Sequence, residues 1–455
     1  MDFSQIVAKQ RQYFNSGATK PVSARIAALK KLAAALEAWE PQFLDALRHD
    51  LGKSGFEGWV TEIGMVRGEL KEAIRHVKQW SAPKRVPTPI TQFPARSYVL
   101  REPYGVALIM APWNYPVQLN LVPVVSALAA GCTVVLKPSA YAAATAEVLA
   151  KMLSATFPPE LVTVVTVGRA ENTALLEQHF DVIFFTGSTE VGKTVMAAAA
   201  RHLTPVALEL GGKSPVILTR NADLALAAKR IAWGKFLNAG QTCVAPDHVW
   251  APSTMVDAFV EEMRKYITAF YGENPLESED LPAIINEKHF QRLLGLMGEG
   301  RPAVGGVWDE ERRKISPTVL INVDESHPSM GEEIFGPILP VLGYEDLDAL
   351  VAHLREDNPR PLACYVFSQD SAEARKIMES FSFGGGCIND TVVHLTNSAL
   401  PFGGNGESGM GRCHGAWGFD TFTHKKAVLQ KGRMETDLRY PPHGGKGLGL
   451  LKKIM

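Results

Sequence analysis

A thiol, two carboxylates and an amide stand out by their type and setting. Cys243 closes the stretch Asn238-Ala239-Gly240-Gln241-Thr242-Cys243, just after a glycine-containing turn that follows an amphipathic helix beginning near Asp223. A thiol so placed can be exposed. It acts as a nucleophile where its pKa is lowered or a base lies close, and where a site receives the oxyanion it creates. It can equally be a small buried apolar residue, as most free cysteines are. Glu209, in Val206-Ala207-Leu208-Glu209-Leu210-Gly211-Gly212, sits at the end of an apolar strand, where partial desolvation raises a carboxyl toward the range of a general base. Glu333, in Glu332-Glu333-Ile334-Phe335-Gly336-Pro337, is a second carboxylate flanked by glycine and apolar residues. Asn114, between Trp113 and Tyr115 with prolines on both sides, has an amide N–H to offer an oxyanion, or is a turn residue.

A phosphate-binding pattern lies upstream. Gly187-Ser188-Thr189-Glu190-Val191-Gly192-Lys193-Thr194 follows an apolar strand, leads into a helix-like run and matches a P-loop letter for letter. In a nucleotide hydrolase its amides would cradle a triphosphate, with Lys193 on the terminal oxygens and Thr194 on Mg²⁺. In a dinucleotide enzyme the same glycines let backbone approach a pyrophosphate at the helix N-terminus. Both readings need a phosphate, and only the first needs hydrolysis.

These residues require elements to hold them. The first hundred residues read as helices: Ser23 is expected to cap one with Ile26, Leu29, Leu32, Ala33 and Leu36 on one face, Pro41 starts another, and a third runs from about Glu57 to Trp80. Pro83, Pro87, Pro89 and Pro94 then break any helix, and Ile90 to Leu100 suits an exposed hairpin able to pair with a partner chain. From Gly105 short apolar strands alternate with helices: Val106 to Met110, Val134 to Leu136, Val162 to Val165, Val182 to Phe185 and Val206 to Leu208. A second series follows Gly211 and Gly212, at Val216 to Leu218, Val249 to Trp250, Val319 to Ile321, Ile338 to Val341 and Cys364 to Phe367. The fold class expected is therefore α/β. The two series divide at Gly211 and Gly212, which places one α/β unit over 1–81 and 105–210, a second over 211–400, and a proline-rich arm over 82–104.

Composition narrows the function classes. The 455 residues are 46 % hydrophobic and 21 % charged, the balance of a globular protein. Lys plus Arg number 47 against 48 for Asp plus Glu, and a net charge of -1 offers no field for nucleic acid or an anionic membrane. Cys132, Cys243, Cys364, Cys387 and Cys413 form no CxxC pair and no Cys/His spacing of a zinc site, so neither a disulfide scaffold nor a structural metal is expected. A cytoplasmic location is the default for such thiols. Tyr104 to Leu136 carries no charge and is long enough to span a bilayer, but Pro112, Asn114, Pro116, Gln118, Asn120 and Pro123 interrupt it. A buried strand, loop, helix and second strand fits better.

Taken together, the motifs resemble the aldehyde dehydrogenase superfamily over nearly the whole chain, to about Lys426. The matching stretches, in order, are Pro112-Trp113-Asn114-Tyr115-Pro116, Lys137-Pro138-Ser139, Phe185-Thr186-Gly187-Ser188, Leu208-Glu209-Leu210-Gly211-Gly212-Lys213, Gly240-Gln241-Thr242-Cys243, Glu333-Ile334-Phe335-Gly336-Pro337 and Pro401-Phe402-Gly403-Gly404. The short N-terminus and Ile231-Ala232-Trp233-Gly234-Lys235-Phe236 look most like the class-3, fatty and aromatic aldehyde branch.

The resemblance implies NAD(P)-dependent oxidation of an aldehyde to an acid, and it sets the P-loop hydrolase in second place. It implies that Cys243 is the nucleophile and that Asn114, with the Cys243 backbone N–H, forms the oxyanion hole. Glu209 would activate the hydrolytic water, although Glu333 is also a plausible base in the class-3 branch. Glu333 would hold the nicotinamide ribose with Phe335 nearby, Lys137 and the adjoining Ser139 would lie at the adenosine end, and Gly187, Ser188 and Gly192 would follow the pyrophosphate. Where the family often carries a glutamate after Lys137-Pro138-Ser139, this chain has Ala140, so NADP is expected to serve as well as NAD. Trp113, Tyr115, Trp233 and, less directly, His394 are expected along an apolar tunnel for aliphatic or aromatic aldehydes. A homodimer is implied, with 1–81 and 105–210 as a Rossmann-like cofactor domain, 211–400 as the α/β catalytic domain, and 82–104 with 415–430 as a small β oligomerisation arm. No membrane anchor is expected, because Gly444 to Met455 is short and contains Lys446, Lys452 and Lys453.

Overall fold

The computed structural model describes residues 2–168, 171–357, 360–434, 440–442, 448–449 and 452–453. Most of the stretch from Gly444 to Met455 therefore lies outside the described residues.

The chain opens with helices α1 (Phe3–Asn15), α2 (Val22–Ala38), α3 (Glu40–Leu51) and α4 (Gly55–Gly58), a π-helical turn at Trp59–Ile63, and α5 (Gly64–Trp80). Helix α2 begins one residue before the expected cap. Pro21 is its N-cap and Ser23 lies inside it, because proline's fixed backbone angle already sets the turn. Strands β1 (Lys84–Val86) and β2 (Ala95–Pro103) follow.

The first α/β run comprises β3 (Val106–Met110), α6 (Gln118–Ala130), β4 (Thr133–Lys137), α7 (Ala143–Thr156), β5 (Val162–Val164), α8 (Asn172–Leu176), β6 (Val182–Thr186), α9 (Thr189–Ala200) and β7 (Val206–Glu209). The second begins with β8 (Pro215–Leu218), α10 (Leu224–Phe236), β9 (His248–Pro252), α11 (Val256–Tyr271), α12 (Glu287–Met297) and β10 (Arg301–Val304). A small hairpin of β11 (Trp308–Asp309) and β12 (Lys314–Ile315) precedes β13 (Thr318–Ile321), α13 (Pro328–Gly331) and β14 (Ile338–Tyr344). Helix α14 (Leu347–Asp357), β15 (Ala363–Phe367), α15 (Ser371–Ser380) and β16 (Gly385–Ile388) complete the run. Last come β17 (Gly409–Met410), α16 (Gly415–Thr421) and β18 (Thr423–Lys431).

The strands form two large sheets and a small one. The first runs β17-β7-β6-β3-β4-β5, parallel except for β17, and the second runs β10-β13-β14-β9-β8-β15-β16, parallel except for β10. Both are covered on both faces, so their inner strands read as unbroken apolar runs; β3, β4 and β6 are buried along their whole length. The uncharged stretch after Tyr104 is β3, a loop, the buried helix α6 and β4, and no described helix is long and apolar enough to cross a membrane. Strand β7 ends in the first sheet at Glu209 and β8 opens the second at Pro215, so Gly211 and Gly212 lie in the passage between them.

In the first sheet β3 precedes β4 and β5 on one side, while β6 and β7 lie on the other. The strand order thus reverses between β3 and β6, and loops leaving the carboxyl ends of those two strands frame a crevice where such sheets bind ligands. They are the loop carrying Asn114 and the turn Gly187–Ser188.

The small sheet is antiparallel, in the order β1-β2-β18. The hairpin expected between Ile90 and Leu100 is β1 and β2 joined through a short 3₁₀ turn at Ile90–Gln92. Its long strand does not present that edge to another chain: β2 pairs with β18 of the same chain over nine register positions, from Thr423 opposite Pro103 to Lys431 opposite Ala95.

Candidate active site

Cys243 stands where two cavities meet. One is apolar, walled by Val60, Met65, Tyr115, Trp233, Val392 and Phe402 among others; the other is lined by Trp113, Asn114, Gly187, Ser188, Glu333 and Phe335. Cys243 and Glu209 belong to both linings.

The turn that presents Cys243 is conformationally costly. Helix α10, capped by Asp223, gives way to three consecutive residues of left-handed backbone, Asn238 (φ 53°), Ala239 (φ 50°) and Gly240 (φ 74°). Only glycine adopts that conformation freely, and each strained residue costs about 1–3 kcal/mol unless its surroundings fix it. They do so here. The Asn238 backbone N–H donates to Glu57 at 3.0 Å, and its Nδ2 donates to the carbonyls of Asn114 and Gln241 at 2.8 and 3.1 Å. Gln241 in turn donates through Nε2 to the carbonyls of Asn238 and Ala283 and accepts at Oε1 from Ile285 N–H.

The sulfur is half-buried, and the backbone N–H groups of Cys243 and Val244 approach it. Burial first, then the carboxylates of Glu333 and Glu209, pushes its thiol up to about 12. The resting form is therefore the protonated thiol, and a base must take its proton before it can attack.

Asn114 follows β3 on the crevice loop and is buried. Its Nδ2 donates to the Gln241 carbonyl at 3.0 Å, which leaves the second amide hydrogen for another acceptor. Glu209 is more unusual: it is 4 % exposed and neither carboxylate oxygen has a hydrogen-bond partner among the described residues. Burial raises its pKa well above the ordinary value, against a smaller opposing effect of Arg412. Gly403 makes room for it, since a Cβ at that position would lie 2.9 Å from Glu209 Oε1.

Glu333 is raised to about 8, chiefly by burial and then by Asp247. Its carboxylate lies over Gly211, where any side chain would displace it. Asp247 braces the Glu333 loop: it pairs with Lys213, which also donates to the carbonyls of Ser329 and Glu332, and it accepts from Ile334 N–H at 2.9 Å.

The remaining expected residues are distributed unevenly. Tyr115 and Trp233 line the apolar cavity, Tyr115 with its hydroxyl 2.6 Å from Thr242 Oγ1. Trp113 does not join them: it faces the other cavity, edge-on to Phe335 at 5.5 Å between ring centroids and 5.2 Å from His289. Local pairing decides this, because Thr242 fixes Tyr115 on one side of the loop while the Phe335 and His289 rings hold Trp113 on the other. His394 lies behind the apolar wall against Tyr365 and Phe402.

Gly187 and Ser188 line the second cavity. Lys137, Ser139 and Gly192 lie outside both linings. Lys137 ends β4 with its pKa lowered by burial, and no described carboxylate pairs with it. Exposed Ala140 follows Ser139. Gly192 is inside α9, where a Cβ would come within 2.7 Å of Leu210, so it serves the packing of helix on strand.

The P-loop reading fails here for the same reason. Thr189 to Lys193 are already helical, so no loop exists to wrap a triphosphate, and Lys193 is an exposed partner of Glu190. A dinucleotide pyrophosphate suits the site better. Ser188, the N-cap of α9, places no side-chain bond on the helix's first amides, which leaves them for an anion.

Several residues that shape the site carry no local sequence signal. His289 lies between Trp113 and Tyr141, and Glu69 accepts from His414, a wall residue of the apolar cavity, at 2.7 Å. Glu57 and Glu62 fall within the helical run expected from Glu57 to Trp80 and Lys53 lies just before it, yet all three are buried beneath the Asn114 and Asn238 loops.

Comparison with known proteins gives a consistent answer. Residues 1–428 match the model of the aldehyde dehydrogenase family. The chain is 46 % identical to aldehyde dehydrogenase family 3 member B1 of Homo sapiens over 448 residues, covering 98 % of this chain and 96 % of that protein. It is 44 % identical to the 4,4'-diaponeurosporen-aldehyde dehydrogenase of Staphylococcus aureus over 439 residues, 96 % of this chain and 95 % of that one. A solved structure described as the substrate-bound state of Staphylococcus aureus AldH superposes with a TM-score of 0.97 at 43 % identity, over 99 % of both chains.

Proposed function

The chain belongs to the aldehyde dehydrogenase family, with class-3-like relatives, and on that premise we propose how its own residues oxidise an aldehyde and which aldehydes and cofactors they favour. The enzyme oxidises aldehydes with NAD(P). The observation that carries the residue assignments is the position of Cys243 and of Glu209, with its unpartnered carboxylate, on the walls of both cavities.

The apolar cavity receives the aldehyde's hydrocarbon body and brings its carbonyl to Cys243. The sulfur, its proton taken by a neighbouring carboxylate of raised pKa, bonds to the carbonyl carbon. The resulting oxyanion accepts hydrogen bonds from Asn114 Nδ2 and from the Cys243 backbone N–H, for which the described structure contains no carbonyl partner. Losing one such donor costs about 2.7–4 kcal/mol of transition-state stabilisation. NAD(P)⁺, when bound, supplies the hydride acceptor that turns the hemithioacetal carbon into a thioester. Glu209 then takes a proton from water, which attacks the thioester and releases the carboxylic acid and the thiol.

Glu333 and Phe335 fit the nicotinamide ribose and ring, Gly187 and Ser188 the pyrophosphate at the start of α9, and Lys137 with Ser139 the adenosine ribose. Exposed Ala140 places no carboxylate beside a 2′-phosphate, which supports use of NADP alongside NAD. The apolar lining favours medium or long aliphatic and aromatic aldehydes, and five free cysteines suit a reducing cytoplasm.

The test is an aldehyde panel read at 340 nm with NAD and with NADP, beside Cys243→Ala. The wild-type enzyme should use both cofactors and prefer hydrophobic aldehydes, and the variant should be inactive. Turnover surviving in Cys243→Ala would refute the nucleophile, and a strong preference for NAD would refute the inference from Ala140.

A further inference from the structure

The N-terminal helical layer contributes to the active-site loop a buried ion pair, neither member of which lines either cavity. Lys53 follows α3, and Glu62 lies in the π-helical turn Trp59–Ile63; both side chains are 0 % exposed. Lys53 Nζ donates to Glu62 Oε1 at 2.7 Å and to the Asn114 carbonyl at 3.2 Å, and lies 4.1 Å from the centroid of the Tyr115 ring. Glu62 Oε2 accepts from the backbone N–H groups of Val117 and Gln118 at 3.0 and 2.9 Å, at the start of α6, where no side chain of the helix caps its own end.

From Asn114 to Gln118 the pair thus holds the loop at its carbonyl, at a ring face and at two amides. Two charges are costly to take out of water, and an apolar pair of similar volume would fill the same space at less cost. What an apolar pair cannot do is bind those three backbone groups together. Glu62 lies within the π-helical turn, and such turns recur at functional sites.

We propose that Lys53 and Glu62 are positioning residues, which hold the Asn114 amide where the oxyanion forms. This rests on Asn114 being an oxyanion donor. Displacing such a donor by about 1 Å is enough to cost about 100-fold in rate.

The experiment compares Lys53→Met, Glu62→Gln and the double variant Lys53→Met with Glu62→Leu, which leaves neither member of the pair behind as a lone buried charge. Three quantities are read on each full-length enzyme: thermal midpoint, kcat with KM for aldehyde and NAD(P), and the rate of Cys243 alkylation by iodoacetamide. Alkylation is displacement at a saturated carbon and creates no oxyanion. The expected result, decided on the double variant if a single one unfolds, is a fall in kcat of about 10- to 100-fold. KM for NAD(P) should be unchanged, and alkylation should stay within about twofold of wild type. Unchanged kcat would overturn the proposal, as would kcat and alkylation falling in parallel, which would mean a general loosening around the cysteine. A fully active Asn114→Ala enzyme would instead overturn the reading on which the proposal rests.

Discussion

At the residue scale the open contest is between two carboxylates, and their surroundings separate them. Glu209 is buried, which raises its pKa well above the ordinary range, and neither oxygen has a hydrogen-bond partner among the described residues, so lone pairs are free for a proton. Glu333, raised to about 8, lies over Gly211 in a loop braced by Asp247 and Lys213, a setting suited to holding a ligand. A carboxyl with a raised pKa keeps its proton to higher pH than an ordinary carboxylate and works as a base only after losing it, so kcat should climb with rising pH, along a limb displaced above the usual carboxylate range. With Glu209 as the base, Glu209→Gln should lower thioester hydrolysis by about 100- to 10,000-fold and let acyl-enzyme accumulate, visible by intact-protein mass spectrometry. Glu333→Gln should keep the rising limb and raise KM for NAD(P). Loss of the limb in Glu333→Gln, with Glu209→Gln still turning over, would exchange the two roles.

At the scale of elements, the turn between α10 and β9 decides whether the thiol is presented at all. Gly240 has a φ of 74°, and a Cβ there would run into the Gly336 carbonyl, which is backbone and cannot swing aside. Gly240→Ala should therefore cost more than the 1–2 kcal/mol or so of the left-handed conformation alone. Differential scanning calorimetry should show a midpoint lowered by several degrees, and kcat should fall with it; an unchanged midpoint would mean that the turn relaxes freely. The chemical motifs and the inner strands were legible in the sequence because each is local: Val106 to Met110 and Val182 to Phe185 are apolar throughout, as strands covered on both faces tend to be. Strands β16 and β17 were not. They are short, glycine-rich pieces at sheet edges whose pairing comes from their neighbours. Nor could Trp113 be assigned its cavity, which depends on rings at Phe335 and His289, far along the chain. Glu57 and Glu62 were hidden for a related reason, since a charge within a helical run carries no sign of burial until tertiary packing covers it, and Lys53, in the link between α3 and α4, carries none either.

At the scale of the whole molecule, the small sheet is the part that one chain leaves unfinished. Strand β1 is exposed throughout and most of β18 is exposed, including Leu429 at 48 %. The β18 edge away from β2 pairs with no described strand. Three strands with so little buried face are marginal alone, and a nine-residue open edge is a ready template for another chain. A homodimer, which the family resemblance implies, would cover it. Sedimentation equilibrium should then give twice the 49.6 kDa of one chain, and a monomer mass at micromolar concentration would show that the sheet needs no partner. Catalysis need not follow assembly, because Cys243, Glu209 and Asn114 meet at the two cavities within one chain. Specific activity should therefore stay constant on dilution through dissociation for as long as the monomer remains folded. A fall in activity that tracks the loss of dimer, with circular dichroism unchanged, would mean that the second chain holds the site in its working shape.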